Sequence, residues 1–131
     1  MATELFYSKM IETLAKPGQA ILDSLTPVKC EMWHHASCIN GEGGEAFDAV
    51  KKHVIYDQPF GEEQRQNVIE ELGDLEFYME GLRQACGITR QETLDHNVHK
   101  LAKRYGDALK YSDEAARIRS DKHDPKPLAA K

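Results

Sequence analysis

The chain has 131 residues, 40% of them hydrophobic, enough for one folding unit with a core and too few for two ordinary domains. Its 17 lysines and arginines stand against 22 aspartates and glutamates, and the net charge of −5 argues against general affinity for nucleic acid or an anionic membrane. No stretch approaches the roughly 18 to 20 apolar residues of a membrane span, and Met1-Ala2-Thr3-Glu4 lacks the layout of a signal peptide, so a cytoplasmic protein is expected. Cys30, Cys38 and Cys86, without a CxxC pair, read as reduced thiols serving as small apolar filler.

In chain order, residues 4–16 form a short amphipathic pattern stopped at Pro17-Gly18, and a second short turn is predicted over 19–25. Thr26 can cap and Pro27 suits a first helical position, so a helix is predicted over 27–39, broken or kinked at Asn40-Gly41 and resumed over 42–55. Phe47, Val50 and Val54 are the expected packing face of that second stretch. A loop over 56–61 contains Pro59. Val68, Leu72, Leu75, Met79, Leu82 and Cys86 then recur at spacings of 4, 3, 4, 3 and 4, an apolar seam that predicts a helix over 62–86 with Gly87 past its end. Thr89 and Glu92 make a capping-box pattern opening another helix, whose seam is Leu94, Val98, Leu101 and Tyr105. Beyond Gly106 a short helix is predicted over 113–118, and a tail over 121–131, with Pro125 and Pro127, is expected to be mobile. There is no β alternation, repeat or glycine-rich phosphate loop. The expectation is a single all-α domain over 1–120, a bundle of four to five main helices.

At about 100° per residue, Asn67, Glu71, Asp74 and Tyr78 cluster on one flank of the long seam. Glu76, Glu80 and Arg83 lie on the other, an ordinary solvated face with its own cation. On the preceding segment Glu42, Glu45, Ala49 and Lys52 form a stripe, and Gly43-Gly44 leaves room beside the acids for a neighbouring helix or ligand. The helix opened by Thr89 carries Asn97, Lys100 and Arg104 on one flank. If these helices pack by their seams, the four carboxylates share one cleft and need protons or a bound cation to coexist there. All-oxygen ligation suits Mg²⁺ or Mn²⁺, and a metal facing cationic side chains suits a polyphosphate. The alternative from spacing alone is one acidic and one basic surface patch.

Three stretches are distinctive together: residues 35–45, from His35 through Asn40-Gly41-Glu42-Gly43-Gly44-Glu45; residues 67–74, Asn67-Val68-Ile69-Glu70-Glu71-Leu72-Gly73-Asp74; and residues 97–105, with Asn97, Lys100, Arg104 and Tyr105. In this order they resemble the MazG-like family of all-α nucleoside triphosphate pyrophosphohydrolases, over roughly residues 27–116. The resemblance implies hydrolysis of a (deoxy)nucleoside triphosphate to the monophosphate and pyrophosphate, with Glu42, Glu45, Glu71 and Asp74 holding Mg²⁺, or Mn²⁺ in its place. It implies phosphate contacts from Lys52, Asn97, Lys100 and Arg104, with Tyr105 near the sugar, and a homodimer or homotetramer that completes the cleft. A purine preference such as dGTP, as in some small phage-type members, is compatible with it, and a phage-encoded member would act in the host cytoplasm. Two departures stand out: Gly43-Gly44 where the family has helix formers, and Gly106 where proline often follows the Arg-Tyr pair.

Trp33, His34 and His35 precede the first motif and are candidates for contacting the base. Phe77, opposite the long seam, wants a second surface. His96-x-x-His99 and His34-x-x-x-Cys38 each supply two ligands, short of a zinc site. A di-iron bundle needs two Glu-x-x-His motifs, and only Glu31-Met32-Trp33-His34 matches. The non-enzymatic alternative is a helical module that binds nucleotide or protein without turnover.

Overall fold

The computed structural model describes residues 2–106 and 109–122, and all regular structure among them is helical. The order is α1 (Ala2–Leu14), α2 (Gly18–Leu22), α3 (Pro27–Val54), α4 (Glu62–Cys86), α5 (Arg90–Tyr105) and α6 (Asp113–Ile118), followed by a 3-10 turn at Ser120–Lys122. The chain divides into two compact units, Met1–Ala85 and Cys86–Lys131. Among the described residues no helix is long and apolar enough to cross a membrane.

In the first unit α3 begins as its sequence dictates: Thr26 Oγ1 accepts the Lys29 N–H at 3.3 Å and Pro27 occupies the first turn. It then runs 28 residues without interruption, so the break expected at Asn40-Gly41 does not occur. Glycine weakens a helix interior by about 1 kcal/mol but keeps its N–H; only proline removes the donor and forces a break, and none follows Pro27 in this helix. The space expected beside Gly43-Gly44 is open, since a Cβ at Gly41, Gly43 or Gly44 would meet nothing within 4 Å. α3 ends at Val54 with the Ile55 N–H still bonded to the Lys51 carbonyl, and the chain then turns left-handed at Asp57, φ 51°.

Contacts between α3 and α4 run in opposite directions along the two helices. Glu42 and Glu45 meet Glu71, Cys38 meets Tyr78, and the His35 ring lies over Gly81. The pair is therefore an antiparallel hairpin. A Cβ on Gly81 would sit 2.3 Å from His35 Cε1, so only glycine lets the ring seat there. Half-buried residues that follow this register include Met32, His35, Ile39, Glu42, Ala46 and Ala49 on α3, and Val68, Glu71, Leu75, Tyr78 and Leu82 on α4. The packing face expected at Phe47, Val50 and Val54 is instead exposed, as is Leu72 of the expected seam. The His35 ring seats against the bare backbone of Gly81, while these bulkier side chains stay in the open.

Taken as whole residues, no hydrophobic residue among the described ones is buried, and Arg83, at 8% exposure, is the only buried residue of any type among them. Full burial of a large apolar side chain is worth about 1.5–3 kcal/mol. With Trp33, Phe47, Val54, Leu72 and Phe77 all more than half exposed, the hairpin forgoes roughly as much as a domain's whole net stability.

In the second unit the capping box forms as the sequence dictates: Thr89 Oγ1 accepts the Glu92 N–H at 3.1 Å and Glu92 Oε2 accepts the Thr89 N–H at 2.7 Å. Ser112 caps α6 without a reciprocal partner, its Oγ accepting the Ala115 N–H at 3.1 Å. The 3-10 turn lies against the last turn of α5, with Ser120 Oγ donating to the Lys103 carbonyl at 3.0 Å. Asp121, expected to open a mobile tail, is thus part of ordered structure; the rest of that expectation, residues 123–131, lies outside the described residues.

Candidate functional site

Three of the four expected ligands converge. One carboxylate oxygen each from Glu42, Glu45 and Glu71 lie within 4.8 Å of one another. The spacing explains it: residues three apart on α3 share a face, and the hairpin register brings Glu71 of α4 opposite both. Partial desolvation, and then repulsion from Glu45 and Glu42, raise the Glu71 carboxyl above the ordinary carboxylate range; Glu70 and Asp74 add to this. Asp74, one turn further along α4, acts on the cluster by charge and is not one of the three that converge.

Among the described residues no cation is ion-paired with Glu42, Glu45 or Glu71. The nearby lysines of α3 are committed elsewhere: Lys52 Nζ lies 3.0 Å from Asp48 Oδ2 and Lys51 pairs with Asp48 Oδ1. These bonds lower the Asp48 carboxyl and raise the Lys51 ammonium. The fit of a cation here rests on this chemistry, three hard oxygen donors in reach of one another with uncompensated charge.

Next to the acids the structure groups Tyr78 with His34 and Cys38, which the sequence reading treats separately. Tyr78 lies beside Cys38, and Cys38 Sγ lies 3.8 Å from His34 Nδ1. Cys38 first, and then burial and the charges of Glu42 and Asp74, push the Tyr78 phenol up, so it stays protonated at neutral pH. The His34 and His35 rings both pack against Tyr78, with centroids at 5.9 and 6.2 Å. A signal existed for this chain: His34 and Cys38 are one turn apart, and so are Asp74 and Tyr78.

His35 also lines a cavity of about 720 Å³ with Glu31, Phe77, Glu80 and Gly81. Its Nδ1 is buried without a hydrogen-bond partner. Trp33, by contrast, is 76% exposed and is not among the residues lining this cavity.

Asn97, Lys100, Arg104 and Tyr105 belong to the second unit and lie on α5 at spacings that put the first three on one face. Arg104 is engaged within that unit: its Nε and Nη2 donate to the two oxygens of Asp121 at 2.7 and 2.8 Å. Tyr105 stacks at 6.0 Å on Tyr111 and lines an apolar cavity of about 290 Å³ with Val98, Leu101 and Leu109. Compared with protein-family models, with curated proteins and with solved structures, the chain matches none.

Proposed function

We propose that this protein is a MazG-like pyrophosphohydrolase that converts a (deoxy)nucleoside triphosphate to its monophosphate and pyrophosphate. The observation that carries the proposal is the convergence of Glu42, Glu45 and Glu71 without a cation paired to them among the described residues. Glu42, Glu45, Glu71 and Asp74 would hold Mg²⁺, or Mn²⁺ in its place. When bound, the ion supplies charge neutralisation at the phosphates and a lowered pKa for water.

The chain's own groups do the rest. Glu42 or Glu45 accepts the proton of the water that attacks the α-phosphate. Tyr78, held protonated, is a donor beside the acids. Lys52, Asn97, Lys100 and Arg104 are assigned to the phosphate oxygens, and Trp33, His34, His35 and Tyr105 to base and sugar, following the family resemblance. The exposed apolar faces of α3 and α4 are assigned to a second copy of the chain, as a dimer or tetramer. A preference for a purine such as dGTP is compatible with this assignment.

A second reading, a helical module that binds nucleotide without turnover, is favoured by one observation: Lys52 and Arg104 are both ion-paired to the chain's own aspartates. Product analysis separates the two. The purified protein is incubated with each of the eight common NTPs and dNTPs with Mg²⁺ or Mn²⁺, beside Glu71→Gln. Monophosphate and pyrophosphate from the parent, with at least about 100-fold less from the variant, is the result expected. Binding without product from any of the eight selects the module.

A further inference from the structure

The last turn of α5 is where the chain meets its own acidic side chain. Arg104 presents Nε and Nη2 to Asp121 as a two-pronged fork, and both carboxylate oxygens fill it at 2.7 and 2.8 Å. The Asp121 side chain is only 1% exposed and that of Arg104 16%. Ser120 fastens the same turn one residue away through its bond to the Lys103 carbonyl. The turn is therefore pinned to α5 at two adjacent points, by a side chain whose charge and bidentate geometry are those of a phosphate oxygen pair.

We propose that the Ser120–Lys122 turn is an intramolecular competitor for the anion site at Arg104, with the Asp121 carboxylate standing where a phosphate group would bind, so that phosphate ligands engage Arg104 only when the turn lifts away. The inference rests on the assignment of Arg104 to phosphate. The fork on one edge of a guanidinium accepts one planar or tetrahedral anion at a time, and Asp121 and a phosphate oxygen pair cannot share it. Asp121 is tethered, so it competes at a high effective concentration, and the apparent affinity of any phosphate ligand falls by the fraction of chains in which the turn is released. The Arg104 bonds hold the Asp121 carboxyl down at about 2, so the competitor is charged throughout the neutral range.

The test is isothermal titration of the full-length protein with inorganic tripolyphosphate in Mg²⁺, comparing the parent with Asp121→Asn, Arg104→Gln and the double variant. Asp121→Asn is expected to bind about tenfold more tightly, a gain of about 1.4 kcal/mol, and Arg104→Gln/Asp121→Asn to lose that gain. Equal or weaker binding by a folded Asp121→Asn overturns the proposal while leaving the phosphate assignment standing. Loss of all binding dependence on Arg104, in both backgrounds, overturns the assignment and the proposal with it. Ser120→Ala leaves the Arg104 pair intact and loosens only the turn; it is expected to tighten binding about twofold to threefold, and an unchanged affinity in this folded variant counts against the proposal even if Asp121→Asn does not fold.

Discussion

The two acidic flanks of α4 have opposite electrostatics, although both are built from carboxylates one turn apart. On one, Arg83 Nε lies 2.8 Å from Glu80 Oε2 and its Nη2 lies 3.8 Å from Glu76, so the two carboxylates share a cation carried by the same helix. On the other, Glu71 meets Glu42 and Glu45 from α3, and the clustering raises its carboxyl. The first flank is complete as it stands. The second gathers repelling carboxylates with no ion-paired cation among the described residues, and a proton or a cation would relieve that repulsion. Acidity alone therefore says little about function; what matters is whether the compensating charge is built in.

The comparison breaks first at the ligands. Thermal unfolding with and without Mn²⁺ should show a metal-dependent rise in Tm for the parent and for Glu76→Gln. In Glu71→Gln that rise should vanish, corresponding to a loss of about 100-fold or more in apparent affinity. An equal rise in both variants would mean that the two flanks do not differ as ligands.

Stripping the built-in cation is the next largest test. Arg83→Met keeps much of the buried stem but removes its bonds to Glu76 and Glu80, and urea unfolding should show a loss of about 1 kcal/mol, less than for a fully buried pair because both glutamates are about half exposed. No loss would show that this flank gains nothing from its arginine.

The smallest effect is the pH dependence of the metal-free protein. A carboxyl whose folded value is raised contributes stability that is present below its unfolded value and lost as pH rises through the folded one. In EDTA, the Tm contribution from Glu71 should therefore fall as the pH rises above the ordinary glutamate range, and Glu71→Gln should remove that contribution. Asn67→Arg, placing a cation one turn before Glu71, should flatten it as well. A contribution that instead increases across this range would show that Glu71 is already compensated in the fold.

Local structure was written in local residues. Thr26-Pro27 opened α3, Thr89 with Glu92 opened α5, and the 62–86 pattern matched α4, because caps and apolar periods act over three or four residues and need no partner. The candidate site was legible only as pairs: Glu42 with Glu45, and Glu71 with Asp74, each visible as a helical spacing. Spacing did not show which pairs meet, nor that Asp74 stands one step apart from the other three. The break assigned to Asn40-Gly41 was misread because glycine lowers helix propensity without removing a hydrogen bond.

The sequence by itself determined the all-helical class, the caps and the acidic residues carried at helical spacing, since each depends on contacts within one or two turns. Only the tertiary structure decided which faces of α3 and α4 meet, because that pairing joins residues far apart in the chain: His35 lies over Gly81, Glu71 reaches Glu42 and Glu45, and Phe47, Val50 and Val54 stay exposed. It likewise decided that Arg104 is held by Asp121, a partner seventeen residues away that no helical period relates to it.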